Sequence, residues 1–434
     1  MSNSIRITSG KSALLFALYS SLIFPCYDGL TPSDLTIEEL VGQLLMVSLQ
    51  AEEANDLAKK LITDVKIGGV IYYTWANGLH SPEQVAQLSA DLQKLSSQTR
   101  TKIPLIIAVD HEGGRVHRFE SGFTKFPPAF AFGMVNDPQL TKKCAQGMGH
   151  ELRAAGITMN LAPVVDVMSN PHNPIIGTRS FGCTPELVTQ HAQAFIEGMQ
   201  HAGIATSIKH FPGHGDTATD SHVALPVIQK THQELSACEL APFYALAKTA
   251  DSIMTAHILV PELDQNMCST FSQRTLDLLR NTAKFDGIII SDSLVMKGAL
   301  GYTNDNLSQA ALQAFKAGCD ILLIGGRRLE GSTFTEATYD DIKNVHSTLL
   351  HALNSGEISR KQMEKSVARI LGLKEKYVST NAIRLSNEED HAQLALTMAQ
   401  NAQQLLKNNN FSLTDSVRET FSKQLKDIEK LYQK

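Results

Sequence analysis

Short apolar runs, most of them rich in β-branched residues, recur along the chain, each followed by a loop and then a helix-like segment. They are Val41–Leu49, Ile67–Tyr73, Leu105–Val109, Met159–Val167, Ala205–Lys209, Ser252–His257, Gly287–Ser291 and Asp320–Ile324. Between them lie amphipathic stretches such as Pro82–Leu95, Pro185–His201, His232–Ala250 and Leu307–Ala317. Strands alternating with helices predict an α/β fold with a parallel sheet. Eight such strands are the number that closes a (β/α)8 barrel of the TIM type. A doubly wound sheet is the alternative, weakened because no Gly-x-Gly-x-x-Gly turn opens the first unit.

After the last strand run, Ser366–Tyr377 and His391–Leu406 read as helices, and Phe411–Lys434 as a charged amphipathic tail. No second series of strands follows, so the pattern predicts one catalytic domain over residues 31–380 and a helical C-terminal extension over 381–434. Residues 1–30 differ from both. Arg6 and Lys11 precede the apolar run Ala13–Phe24, and no acidic residue appears before Asp28. That order is the pattern of a secretory signal, which would place the protein in the periplasm or outside the cell. The alternative is an apolar lead-in that packs on the domain of a cytoplasmic protein, since Phe24-Pro25-Cys26 is a poor cleavage site.

Composition narrows the partners. A chain of 434 residues with a formal net charge of -5 and no clustered Lys/Arg stripe does not suit a nucleic-acid partner. No apolar run reaches the roughly eighteen residues that a membrane span needs, and the oligomeric state is left open. The six cysteines are widely spaced, with no Cys-x-x-Cys pair, and read as scattered thiols rather than a metal or disulfide framework.

The chemistry-bearing residues fall at one place in each unit, at or just after the strand end. Asp110-His-Glu-Gly-Gly-Arg115 follows the third run, and Asp166 ends the fourth. Lys209-His210 ends the fifth, His257 the sixth, Asp292 the seventh and Gly325-Gly326 the eighth. In a barrel these positions converge on the C-terminal mouth, where barrel enzymes keep their active sites. The densest stretch, Ile208–His222, combines three histidines, two aspartates and a lysine with Pro212, Gly213 and Gly215, so it leaves its strand as a polar loop.

Each candidate has a plainer alternative. Asp292, straight after an apolar strand, is a helix N-cap or a catalytic carboxylate. Asp220-Ser-His222 is a loop bonding to itself or a proton-transfer pair, because a carboxylate near an imidazole favours the charged ring and orients it. His210, His214, Asp216 and His222 invite a metal, but their spacing matches no His-Glu-x-x-His motif, so neither metal nor cofactor is expected. Lys209 is a Schiff-base lysine or a partner for a substrate hydroxyl or an aspartate. Arg118 and Arg179 hold substrate oxygens or form surface ion pairs.

Taken together, the motifs resemble glycoside hydrolase family 3, and within it the single-domain bacterial β-N-acetylglucosaminidases (β-N-acetylhexosaminidases) of the cell-wall recycling type. The segments that carry the resemblance are Ala108–Val116, Asn160–Val167, Asn173–Gly182, Lys209–Asp216, Asp220–His222 and Ser291–Asp292 followed by Leu294. The resemblance implies Asp292 as nucleophile, His222 as acid/base and Asp220 as its partner. It implies that Asp110, Arg118, Arg179, Lys209 and His210 bind the N-acetylglucosamine ring, and that nearby Lys209 or arginines keep Asp292 ionised. It further implies hydrolysis with retention through a covalent glycosyl-aspartate, with imidazole in place of the usual carboxylic acid. The carbohydrate substrate would be peptidoglycan-derived muropeptides or chitin oligosaccharides. A family β-glucosidase or xylosidase, an N-acetylglucosaminide phosphorylase, and a sugar-binding protein without catalysis are the competing functions. Ser293 stands where many members of that family carry a second aspartate.

Overall fold

Apolar runs become strands here because both sheet faces are covered, which removes any polar alternation from the sequence. In the computed structural model, which describes residues 29–218, 225–330, 333–379, 390–408 and 413–433, the strands are β1 Leu45–Val47, β2 Gly69–Tyr72, β3 Ile106–Val109 and β4 Met159–Asn160. They continue with β5 Ala205–Phe211, β6 Ser252–Thr255, β7 Ile288–Ile290 and β8 Leu322–Ile324. Every residue of these strands is buried. They pair in the order β7-β6-β5-β4-β3-β2-β1-β8, every pairing parallel. A parallel bridge between Ile290 and Ile321 joins the two ends. The sheet therefore closes as a (β/α)8 barrel, and the doubly wound alternative falls away.

Helix starts follow their caps. Ser81, Thr184 and Asn306 accept the N–H of Gln84, Leu187 and Gln309 and open helices Pro82–Ser97, Pro185–His201 and Leu307–Ala317. Three boundaries depart from the sequence pattern. Val41–Gln43 closes the helix Ile37–Gln43 instead of opening β1, because Thr36 and Glu39 form a reciprocal capping box that nucleates a helix there. β4 ends at Asn160 because the Ala162–Pro163 step supplies no N–H to the ladder, and pairing resumes only at a Val164–Lys209 bridge. The predicted helix His232–Ala250 is two helices, His232–Ala237 and Ala241–Leu246, with Pro242 in the first turn of the second.

Helices His391–Asn408 and Asp415–Tyr432 pack on the barrel's helical layer. Phe421 meets Phe130 edge-on at 5.6 Å, and the Tyr432 hydroxyl accepts the Lys125 N–H at 2.7 Å. Among the described residues no helix is long and apolar enough to cross a membrane. The N-terminal segment, up to residue 28, lies outside the described residues.

Helix Arg360–Tyr377 buries Lys374 completely, with its ammonium 2.7 Å from the Gln43 amide oxygen. Burial lowers its pKa to about 7, whereas a lysine in the unfolded chain titrates near about 10.4. Between those values the unfolded state holds the extra proton, so stability rises with pH across that window, by at most about 1.4 kcal/mol per pH unit. Lys374→Met is expected to flatten this rise. Urea unfolding at about pH 7.5 and about pH 9.5 measures it, and an unchanged slope would show that Lys374 is not its source.

Candidate active site

The strand ends bring the predicted polar residues to one place. Asp110 follows β3, Lys209 and His210 are the fifth and sixth residues of β5, and Asp292 lies just beyond β7. Arg179 ends the short turn Gly177–Arg179. These residues and Arg118 line a single cavity of about 420 Å³, together with Glu112, His214, Tyr73, Trp75, Ser293 and Arg327.

One side of the cavity is an alternating array of charges. Lys209 Nζ lies 2.7 Å from Asp110 Oδ1 and 2.8 Å from Glu112 Oε1. Arg179 grips the same Glu112 in a bidentate fork, at 2.7 Å and 2.8 Å. Arg118 Nη2 approaches Asp110 Oδ2 at 3.7 Å. The Lys209 and Glu112 side chains are only 3% and 4% exposed. Burial works against charge on both, yet their partners outweigh it. Arg179 and Lys209 hold Glu112 well below the usual carboxylate range, and Asp110 and Glu112 raise Lys209 above the usual lysine value. A Schiff-base lysine must shed its proton to attack, so this ion pairing removes that alternative. The Lys209 ammonium is paired directly with Asp110 and Glu112. Arg179 is likewise no surface ion pair.

The loop after β5 is built around Asp166, which is wholly buried. Its Oδ1 accepts the backbone N–H of His210 and of His214, and its Oδ2 lies 2.7 Å from His210 Nδ1. Nδ1 is thus the donor, which leaves Nε2 of His210 for the cavity. His214 Nδ1 meets the Thr217 hydroxyl at 2.7 Å, and burial, aided by neighbouring His210, lowers its pKa to about 4. A Cβ at Gly215 would lie 1.6 Å from the Val167 carbonyl oxygen, so only glycine permits this turn. Among the described residues no three His, Cys, Asp or Glu side chains gather as a metal's donors would.

Asp292 caps no helix. The next helix, Lys297–Leu300, has Met296 at its N-cap, and Asp292 Oδ1 instead accepts the N–H of Ser293 at 2.7 Å. The backbone around it is held from below. Asp292 N–H donates to Thr255 Oγ1 at 3.3 Å, Thr255 meets Thr270 at 2.8 Å, and Thr270 meets His257 Nδ1 at 2.9 Å. His257 Nε2 donates to the Ser293 carbonyl at 2.9 Å. The Ser293 hydroxyl donates to the Gly325 carbonyl and so ties the β7 loop to the β8 loop.

The structure therefore assembles Asp110, Arg118, Arg179, Lys209, His210 and Asp292 around one cavity. Asp220 and His222 lie outside the described residues. Sequence reasoning passed over Glu112, although it sits inside the Asp110–Arg115 motif, and over Tyr73, Trp75 and Arg327. Trp75, the chain's single tryptophan directly after a strand, was the available signal.

A barrel with such a mouth works as an enzyme at its C-terminal face, and comparison with known proteins gives the class. The chain belongs to glycosyl hydrolase family 3: the glycosyl hydrolase family 3 N terminal domain matches residues 36–373. It is a glycoside hydrolase. A beta-hexosaminidase of Idiomarina loihiensis is 36% identical over 285 residues, covering 64% of this chain and 83% of that protein. Beta-hexosaminidase A of Pseudoalteromonas piscicida is 33% identical over 341 residues, covering 74% of this chain and 56% of its own length. The solved structure of a family 3 beta-N-acetylglucosaminidase from Paenibacillus sp. superposes with a TM-score of 0.77 at 38% identity, covering 85% of this chain and 69% of that one.

Removing one partner from a buried ion cluster leaves the others uncompensated, at a cost of about 3–5 kcal/mol. Glu112→Gln is expected to destabilise the fold by that order, read by thermal or denaturant unfolding. An unaltered midpoint would mean that the array contributes nothing to holding β3 against β5.

Proposed function

We propose that this chain is a retaining exo-β-N-acetylglucosaminidase that removes terminal β-linked N-acetylglucosamine from peptidoglycan fragments or chitin oligosaccharides. The observation that carries this reading is the shared cavity, where one carboxylate at the end of β7, Asp292, meets a buried set of paired charges from β3, β5 and the Gly177–Arg179 turn. Such a set presents fixed donors and acceptors to the hydroxyl and amide groups of one sugar ring. Asp110, Arg118, Arg179, Lys209 and the Nε2 of His210 take that role. The relatives named beta-hexosaminidase and beta-N-acetylglucosaminidase support the same choice of sugar.

In the first step an Asp292 carboxylate oxygen attacks the anomeric carbon, and the bond to the aglycone oxygen breaks. The imidazolium of His222 gives its proton to that oxygen, and Asp220 orients the ring. In the second step His222 takes a proton from water as the water oxygen displaces Asp292, which restores carboxylate and imidazolium. In the sequence His222 follows the cavity-lining His214 by eight positions. An imidazole with a pKa of about 6.5 can serve in both directions near neutral pH. The charged n-region and apolar run at the N-terminus support export.

Turnover of 4-nitrophenyl N-acetyl-β-glucosaminide is expected to exceed that of 4-nitrophenyl β-glucoside, and faster glucoside cleavage would overturn the reading. Asp292→Ala is expected to lower kcat by about 10⁴-fold or more. His222→Ala is expected to lose less on the nitrophenyl substrate, whose leaving group needs no proton, than on chitobiose. Equal losses on both would remove His222 from the acid role.

A further inference from the structure

Arg118 and Arg179 stand on loops that reach away from the barrel strands. Arg118 lies on the excursion after β3, which runs out from Glu112 and returns at Phe126, where the Phe126 carbonyl accepts the Gly114 N–H at 2.9 Å. Its outgoing arm is held by the loop after β2. The Thr74 hydroxyl donates to the Arg118 carbonyl at 2.6 Å, and the Glu120 N–H to the Leu79 carbonyl at 3.1 Å. Between the arms Phe119 and Phe123 are buried and stack at 3.7 Å and 15°, so a shift of one arm is carried to the other. Arg179 ends the Gly177–Arg179 turn, and the Arg115 guanidinium joins the excursion to that turn through the Ile175 carbonyl.

The returning arm is held from the C-terminal helices. The Lys125 N–H donates to the Tyr432 hydroxyl at 2.7 Å. Beside it Glu151 accepts the Thr124 N–H at 2.7 Å and the Thr124 hydroxyl at 2.6 Å, and the same carboxylate lies 2.9 Å from His391 Nδ1. Phe421, wholly buried, meets Phe130 just past the end of this arm. Helix Asp415–Tyr432 also faces the Arg179 turn across a second cavity of about 400 Å³, lined by Gly177 and Thr178 on one side and by Thr414, Val417 and Gln424 on the other. The two helices therefore meet both arginine-bearing loops, and one of their bonds goes to loop backbone. We infer that the C-terminal helix pair holds these loops in register, with Tyr432 and His391 as positioning residues that act through Arg118. Neither lines the active-site cavity. This rests on the reading of Arg118 as a sugar-binding residue.

Tyr432→Phe keeps the ring and removes the acceptor. It is expected to raise KM for 4-nitrophenyl N-acetyl-β-glucosaminide about fivefold, the worth of one hydrogen bond. Its kcat is expected to stay unchanged, because an arginine that holds the ring does so in ground and transition state alike. His391→Ala is expected to act in the same way, and His391→Asn, whose amide nitrogen replaces Nδ1, to restore the wild-type KM. In an Arg118→Ala background Tyr432→Phe is expected to change kcat/KM no further. A lowered melting temperature with KM unchanged, or additive losses in that background, would reduce the helices to packing and overturn the inference. Amide hydrogen exchange across residues 118–126 needs no substrate and is expected to quicken in Tyr432→Phe. Unaltered exchange there would also overturn the inference. Failure of the wild type to cleave the N-acetylglucosaminide would sink the parent reading, while the exchange measurement would still decide the role of the helices.

Discussion

Glu112 is the carboxylate on which the site depends. It accepts two hydrogen bonds from Arg179, lies 2.8 Å from Lys209, and is almost completely buried. Moving any one of these charges out of water alone would cost several kcal/mol, and the geometry recovers it only if all three meet. That condition ties the loop after β3, the end of β5 and the Gly177–Arg179 turn to one register. Closing the barrel and forming the charged wall of the cavity are therefore one physical requirement. Lys209 then carries the array outward to Asp110, and Asp110 to Arg118.

Asp292 is positioned by separate means. Neutral hydrogen bonds through Thr255, Thr270 and His257 brace its backbone, and the Ser293 N–H fixes its carboxylate. Ser293, in place of a second aspartate, adds no charge beside Asp292 and uses its hydroxyl to join two strand-end loops. The attack proposed for this carboxylate requires a constant orientation, and this network contributes to it.

Much of this was legible in the sequence because a parallel barrel writes its strands as apolar runs and its chemistry at the same place in each unit. The helices beginning at Pro82, Pro185 and Leu307 carried their own caps, and Asp110, Lys209, His210 and Asp292 sat at strand ends. What stayed hidden was decided by neighbours in space. Val41 belongs to an apolar run that serves a helix as readily as a strand, and a capping box upstream settled it. Glu112 looks like any loop glutamate until Arg179 and Lys209 arrive from elsewhere. Trp75 and Arg327 are far apart in the chain and meet only because β8 pairs with β1 and β1 with β2.

The claim that joins fold, array and chemistry is that the carboxylate beyond β7 attacks the sugar. A 5-fluoro N-acetylglucosaminyl fluoride slows the second step, so incubation followed by proteolysis and mass spectrometry reads the covalent intermediate directly. The account predicts one glycosylated peptide, carrying the label on Asp292. Label on any other residue, or turnover with no covalent adduct under conditions that trap a retaining enzyme, would contradict it.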